Sequence, residues 1–237
     1  MRKKYWEIKA SATGADIYIY GDIEDFKWIN EDVTAADIAE EIKALGDVDQ
    51  LNIYINSYGG SVFAGQAIYS ILKRHQARKN VYIDGIAASI ASVIAMAGDA
   101  IYMPKNAMMM VHNAWTFTAG NADQLRKVAD DLDKINTSIV AAYMDKVSVT
   151  EDKLKELLDA ETWLTADECL EMGFCDEILQ ESRVAASISP EWVARYKNVP
   201  DSIQVAQVKG VPKDERDALV AEATREIETI KKILGGI

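Results

Sequence analysis

Short apolar runs alternate with amphipathic helical patterns from residue 15 to residue 173, and this alternation restricts the possible folds more than any other feature of the sequence. The runs are rich in β-branched and aromatic residues and are bounded by Gly, Asp, Asn or Pro, as buried strands are. This order of elements predicts an α/β fold with largely parallel strands and right-handed crossovers. The predicted strands cover 15–23, 51–57, 80–85, 99–104 and 107–113.

Helical spacing of apolar residues predicts the elements between and after these strands. The predicted helices cover 34–46, 62–75, 122–147, 150–159 and 165–173. Beyond residue 184 the composition changes, because three of the four prolines lie there. We therefore expect one domain at 1–184 and a mostly helical C-terminal extension at 185–237, with a short helix at 189–196 and a longer one at 213–234.

The composition excludes several classes of function. The formal net charge of −12 at pH 7 argues against a nucleic-acid surface, which needs a basic patch. Cys169 and Cys175 suit neither a disulfide framework nor a zinc site, and we expect them to be small hydrophobic residues of a reducing compartment. The N-terminus has no apolar signal region, and the apolar run at 85–98 is too short to cross a bilayer. We expect a cytoplasmic protein with no membrane partner, no metal and no cofactor.

Two serines, Ser89 and Ser92, lie in the small-residue run at 85–98. Ser89 follows the predicted strand at 80–85 and starts a predicted helix, where free N–H groups favour negative charge nearby. Ser89 is therefore either a nucleophile or the N-cap of that helix. Ser92 lies one turn further along, where a small residue mainly permits close helix packing.

A glycine pair, Gly59–Gly60, ends an apolar strand and precedes a predicted helix. Two glycines permit positive φ and can turn backbone N–H groups toward a ligand, as an oxyanion hole requires. The alternative is a tight turn between strand and helix with no further role.

Three other polar residues are candidates for a catalytic site. His112 ends a strand-like run and is either a base or a structural histidine, whereas His75 lies among charges at a helix end and is expected to face solvent. Asp159 and Glu161 lie between two predicted helices and are either catalytic acids or solvated loop residues. Serine, glycine-rich donors, histidine and an acid together supply the groups that acyl transfer needs.

Four segments resemble the ClpP peptidases, self-compartmentalising serine proteases of the ClpP/crotonase fold. They are YINSYGGSVFAGQAIYSIL, GIAASIASVIAMAG, MPKNAMMMVHNAW and ETWLTADECLEMGFCDEI, in that order along the chain. The resemblance covers roughly residues 15–182. It implies an α/β spiral of βαβ units in which the helix at 122–147 is the long handle helix between rings. It also implies a homo-oligomer of heptameric rings stacked in pairs, which acts on protein or peptide substrates.

The same resemblance implies the roles of individual residues. Ser89 corresponds to the nucleophile and His112 to the general base. Glu161 stands where the family has the aspartate of the triad, and Asp159 is its competitor.

The resemblance also extends to backbone donors. The N–H groups of Gly60 and Ile90 correspond to the oxyanion hole, and Tyr58 and Gly59 to substrate-binding positions. Tyr58 replaces the proline that precedes the glycine pair in the family.

The short N-terminal region, the glutamate in ETWLTA and the opening IYIYGDI resemble the phage and prophage subgroup of head maturation proteases. This resemblance implies ATP-independent processing of capsid or scaffold proteins. The alternatives are a proteolytic subunit working with an ATP-dependent unfoldase and a catalytically silent ring subunit. A crotonase-type enzyme that stabilises a thioester enolate is a further alternative from another class.

Overall fold

The structure is a computed structural model that describes residues 6–10, 14–24, 34–180 and 195–200. Within these residues, eight strands form one sheet and six helices accompany it. The strands are β1 (Trp6–Ala10), β2 (Gly14–Ile23), β3 (Gln50–Gly60), β4 (Arg78–Ala88), β5 (Ala100–Pro104), β6 (Met108–Val111), β7 (Thr162–Thr165) and β8 (Glu177–Leu179). The helices are α1 (Ala35–Ala44), α2 (Val62–Arg74), α3 (Ile90–Ala95), α4 (Ala122–Met144), α5 (Glu151–Asp159) and α6 (Ala166–Met172).

The sheet is mostly parallel, and the predicted α/β fold is confirmed. Its order is β1-β2-β3-β4-β5-β8, and every neighbouring pair from β2 to β8 is parallel. Strand β1 pairs antiparallel with β2 at one edge. The first half of β4 pairs with β5, but its last residues pair with β6, which in turn pairs antiparallel with β7. Strand β4 therefore connects the main path of the sheet to a short branch formed by β6 and β7.

All five predicted strands and the six helices predicted before residue 184, including the one that starts at Ser89, are present with shifted ends. Strands β3 and β4 continue through Gly60 and Ala88, so the glycine pair belongs to a strand and not to a separate turn. Helix α4 ends at Met144, before the predicted residue 147. The sequence analysis missed β1, β7 and β8. The helix predicted at 213–234 and most of that at 189–196 lie outside the described residues, and the domain boundary at 184 stays a prediction.

Two rows of side chains cross the sheet on opposite faces. On the inner face, one row joins aliphatic residues that are fully buried, and neighbouring positions on the outer face carry tyrosines. The inner row is Ile17, Ile53, Val81 and Ile101; the outer row is Tyr18, Tyr54, Tyr82 and Tyr102. The tyrosine rings stack with centroids 4.9–5.1 Å apart. Both rows follow from the two-residue periodicity of strands paired in register.

Helix α2 lies directly against α3, the helix that follows Ser89. At Gly65, a Cβ atom would lie 2.1 Å from Cγ1 of the buried Ile90 side chain. The missing side chain at Gly65 therefore allows the two helices to approach each other.

We expect Gly65→Ala to destabilise the protein by about 1 kcal/mol, because overpacking costs about 1–3 kcal/mol and alanine regains about 1 kcal/mol in helix propensity. Urea unfolding measures this loss. Ser70→Ala, a partly exposed position on the same helix, is the control and should change the free energy of unfolding by less than about 0.5 kcal/mol. Equal stability of Gly65→Ala and the parent would contradict the proposed close packing.

Candidate active site

Strand register brings three of the predicted site residues to one place. Ala88, at the end of β4, pairs with Met110 in the parallel strand β6. The residues that follow these parallel strands, Ser89 and His112, therefore emerge at the same edge. Val111 pairs with Thr162, the first residue of the antiparallel strand β7, so Glu161 emerges beside His112.

Ser89 occupies a sharp turn between β4 and α3. Its φ of 55° and ψ of −131° are unusual for a residue other than glycine. Its N–H donates to the Met110 carbonyl at 2.9 Å, which ties the turn to β6. The Ser89 side chain makes no capping hydrogen bond to α3, and its Oγ lies 2.7 Å from Nε2 of His112. The N-cap alternative for the hydroxyl is therefore wrong.

Ser92 has a structural environment, as the sequence indicated. Its side chain is fully buried, and its Oγ donates a hydrogen bond to the Ser89 carbonyl. The same oxygen lies 2.6 Å from the Tyr143 hydroxyl and 3.1 Å from the Met110 carbonyl. These contacts hold α3 against α4 and β6, and they leave Ser89 as the serine that faces the histidine.

The glycine pair at the end of β3 lies against the Ser89 turn. A Cβ atom at Gly59, whose φ is +96°, would lie 2.7 Å from the Ser89 Cβ and 3.2 Å from the Ile90 nitrogen. A Cβ atom at Gly60, whose φ is +146°, would lie 2.1 Å from the Ile23 carbonyl oxygen. Only glycine permits the approach of position 59 to the Ser89 turn and of position 60 to β2. Ile90 is the first residue of α3, where the helix itself supplies no acceptor for the N–H.

Glu161 lies behind His112 and is almost completely buried. Its Oε2 is 4.0 Å from His112 Nδ1, which is longer than a hydrogen bond. Its φ of 50° is a second unusual value for a residue other than glycine. Asp159 points elsewhere, since its Oδ1 accepts a hydrogen bond of 2.7 Å from the amide of Asn113. The structure therefore places Glu161, not Asp159, next to the histidine.

Residues 195–200 lie across this site, and the sequence analysis assigned them no part in it. The Tyr196 ring packs edge-on against His112, and its hydroxyl donates to the Tyr58 carbonyl. The backbone N–H groups of Lys197 and Asn198 donate to Glu161 Oε1. No local pattern links these positions to residues that precede them by more than 30 positions, so the sequence carried no signal for this contact.

His75 and the two cysteines make contacts that stabilise the fold and lie apart from Ser89. His75 ends α2, and its Nδ1 accepts a hydrogen bond of 3.1 Å from the Ala77 N–H, so it does not simply face solvent. Cys169 and Cys175 are buried free thiols.

Over the described ranges, no three His, Cys, Asp or Glu side chains are grouped as a metal site would need. Among the helices of these ranges, none is long and apolar enough to span a bilayer.

Burial controls the protonation of His112. Its side chain is 9% exposed, and loss of hydration together with the nearby positive charge of Lys197 lowers the pKa of His112 to about 4. The imidazole is therefore neutral at pH 7 and can accept a proton from Ser89.

We expect this burial to make stability depend on pH. Between the ordinary pKa of 6.5 and the folded value of about 4, the unfolded chain binds a proton that folded His112 does not. Stability should therefore fall as pH is lowered through this window, by roughly 3 kcal/mol at pH 4. Urea unfolding at pH 7 and pH 4 measures the effect, and His112→Gln should lack this part of it. Identical pH dependence in both proteins would show that His112 titrates normally.

The sequence matches a known protein family over most of its length. The family model described as Clp protease matches residues 16–182, well over half of the chain. The ATP-dependent Clp protease proteolytic subunit of Bacteroides fragilis is 31% identical over 155 residues, which cover 63% of this chain and 74% of that protein. The protein of the same name from Deinococcus radiodurans is 28% identical over 137 residues, 56% of this chain and 67% of its own. With the parallel sheet and the Ser89 turn already described, these matches show that the chain belongs to the Clp protease family.

Proposed function

We propose that the protein is a serine endopeptidase in which Ser89, His112 and Glu161 form the catalytic triad. The observation that carries the proposal is the 2.7 Å contact between Ser89 Oγ and His112 Nε2 at a strained strand-to-helix turn. A serine and a histidine at this distance, with an acid behind the histidine, suit nucleophilic attack on an acyl group.

In the first step of the proposed mechanism, neutral His112 accepts the Ser89 proton at Nε2 as Oγ attacks the scissile carbonyl. The N–H groups of Gly60 and Ile90 stabilise the oxyanion of the tetrahedral intermediate. His112 then donates its proton to the leaving amine, and an acyl-enzyme remains on Ser89. In the second step, His112 removes a proton from water, which attacks the ester. The second tetrahedral intermediate collapses to the carboxylic acid product, and His112 returns the proton to Ser89 Oγ.

Glu161 orients the imidazole and stabilises the imidazolium that forms in each step. The 4.0 Å separation between His112 Nδ1 and Glu161 Oε2 must shorten by about 1 Å to form a hydrogen bond. Catalytic hydrogen bonds are often long without substrate and tighten in the complex.

Two biological settings fit this chemistry. One is ATP-independent processing of phage capsid or scaffold proteins in the host cytoplasm, which rests on the resemblance of the sequence. The other is a proteolytic subunit that receives substrates from an ATP-dependent unfoldase, and the names of the two relatives favour it. In both settings we propose a homo-oligomer of heptameric rings stacked in pairs. They differ in whether cleavage of a folded protein substrate needs ATP and a partner.

The site geometry favours a peptidase over both a silent ring subunit and a crotonase-type enzyme. A silent subunit would need no serine and histidine at hydrogen-bonding distance. A crotonase-type enzyme would use backbone donors with carboxylates, and a paired serine and histidine would have no role in it.

We expect a fluorophosphonate probe to label Ser89, because His112 activates this hydroxyl. Peptide mass spectrometry locates the adduct. Ser89→Ala should abolish the label and lower peptide hydrolysis by roughly 10³–10⁶-fold. Ser92→Ala is the matched control and should keep the label on Ser89. A label on Ser92, or none on a folded oligomer, would contradict the assignment.

We expect Glu161→Gln to lower kcat by at least about 10³-fold, because the amide can no longer stabilise the imidazolium. Asp159→Asn should keep activity within a few-fold of the parent. Steady-state kinetics on a fluorogenic peptide measure both. Loss of activity in Asp159→Asn with normal activity in Glu161→Gln would move the orienting role to Asp159.

A further inference from the structure

The segment at 195–200 joins two parts of the site that are far apart in sequence. The Tyr196 hydroxyl donates to the carbonyl of Tyr58, which directly precedes the glycine pair. The Tyr196 ring lies 5.6 Å, centroid to centroid, from both His112 and Trp163. Tyr196 is only 8% exposed, so the contact is a packed one. One side chain therefore connects the oxyanion side of the site to the histidine side.

The next two residues hold the carboxylate of Glu161. Oε1 accepts hydrogen bonds from the backbone N–H groups of Lys197 and Asn198, the latter at 2.7 Å. The Asn198 side chain donates to the Ala160 carbonyl at 2.6 Å, which fixes the segment to the turn before β7. The oxygen that remains, Oε2, is the one that faces His112.

These hydrogen bonds fix the orientation of the Glu161 carboxylate. Glutamate has one more rotatable bond than aspartate, so its carboxylate is less well fixed by its own backbone. Two N–H donors on one oxygen stop this rotation and direct the other oxygen at the histidine. They also supply the hydrogen bonds that a buried carboxylate needs.

We infer that Tyr196, Lys197 and Asn198 are positioning residues that complete the Ser89–His112–Glu161 site from outside the segments that resemble the family. The inference rests on the proposed function. Lys197 and Asn198 act through their backbone N–H groups on Glu161, and Tyr196 acts through its ring on His112.

The segment could instead block the site, but the partial exposure of Ser89 argues otherwise. A cleft of about 350 Å³ reaches His112 between residues 113–117 and 195–198. Ser89 itself stays partly exposed. This cleft opens on the Glu161 side of the imidazole, and the partial exposure of Ser89 shows that the segment does not bury the reacting hydroxyl.

The decisive variant removes a backbone donor. Lys197→Pro deletes the N–H to Glu161, and Lys197→Ala removes the same charged side chain but keeps the N–H. We expect Lys197→Pro to lower kcat on the order of 10²-fold with little change in KM, as a misplacement of about 1 Å does. Lys197→Ala should stay within about threefold of the parent. Equal activity of the two variants overturns the inference, and so does a rise in activity in Lys197→Pro, which would show that the segment blocks the site.

A second measurement does not depend on catalysis or on the folding of the proline variant. His75 and His112 are the only histidines, so His75→Gln leaves one imidazole for NMR titration. The charged or titratable groups that face it are Glu161 beside β7, Tyr196 and Lys197 of the segment, and Ser89 before α3. Tyr196→Ala removes the aromatic ring that covers the imidazole of His112. The pKa of His112 should therefore rise from about 4 toward its ordinary value of 6.5. An unchanged pKa of His112 would overturn the contact between Tyr196 and His112.

These experiments separate the two proposals. If the parent protein neither carries a fluorophosphonate label on Ser89 nor cleaves peptides, the proposed function fails, and the titration still reports whether Tyr196 covers His112. If the parent is active and the Lys197 variants behave alike, only the positioning role fails.

Discussion

The register between β4, β6 and β7 is the constraint on which the site depends. Parallel pairing of Ala88 with Met110 and antiparallel pairing of Val111 with Thr162 bring three chain positions within reach of one another. No long-range side-chain interaction is needed to gather them, because backbone hydrogen bonds of the sheet already do so. The hydrogen bond from the Ser89 N–H to the Met110 carbonyl extends this pairing one step beyond the strand and fixes the Ser89 turn.

The sequence predicted the parallel part of the fold well, because its strands are continuous apolar runs and its helices have clear apolar stripes. It missed β7, whose residues TWLT are only four long and precede a strong helix signal. It also missed β1, which lies at the sheet edge and alternates polar with apolar residues. Ser89 and His112 could be proposed from residue type and position. Residue type offered both Asp159 and Glu161, and only the family resemblance chose between them, because the place of Glu161 beside His112 depends on the pairing of β7.

The contact between Glu161 and the segment at 195–200 shows what local patterns cannot reveal. Backbone N–H groups are the same in every residue except proline, so a site built from the N–H groups of Lys197 and Asn198 leaves no trace in residue type. The unusual φ values of Ser89 and Glu161 are hidden in the same way, since neither residue is a glycine. Strain of this kind is retained where the surrounding contacts fix the backbone, and here both strained residues belong to the proposed triad.

The stacked tyrosines on the outer face have a consequence for folding errors. If β4 slipped by one residue against β3 or β5, Tyr82 would enter the aliphatic interior and Val81 would leave it. A slip by two residues would keep the faces but break the ring stacks on both sides of Tyr82. Both slips would also move Ser89 away from its position opposite β6. The aromatic row on the outer face therefore favours the register that places Ser89 beside His112 over these misaligned pairings.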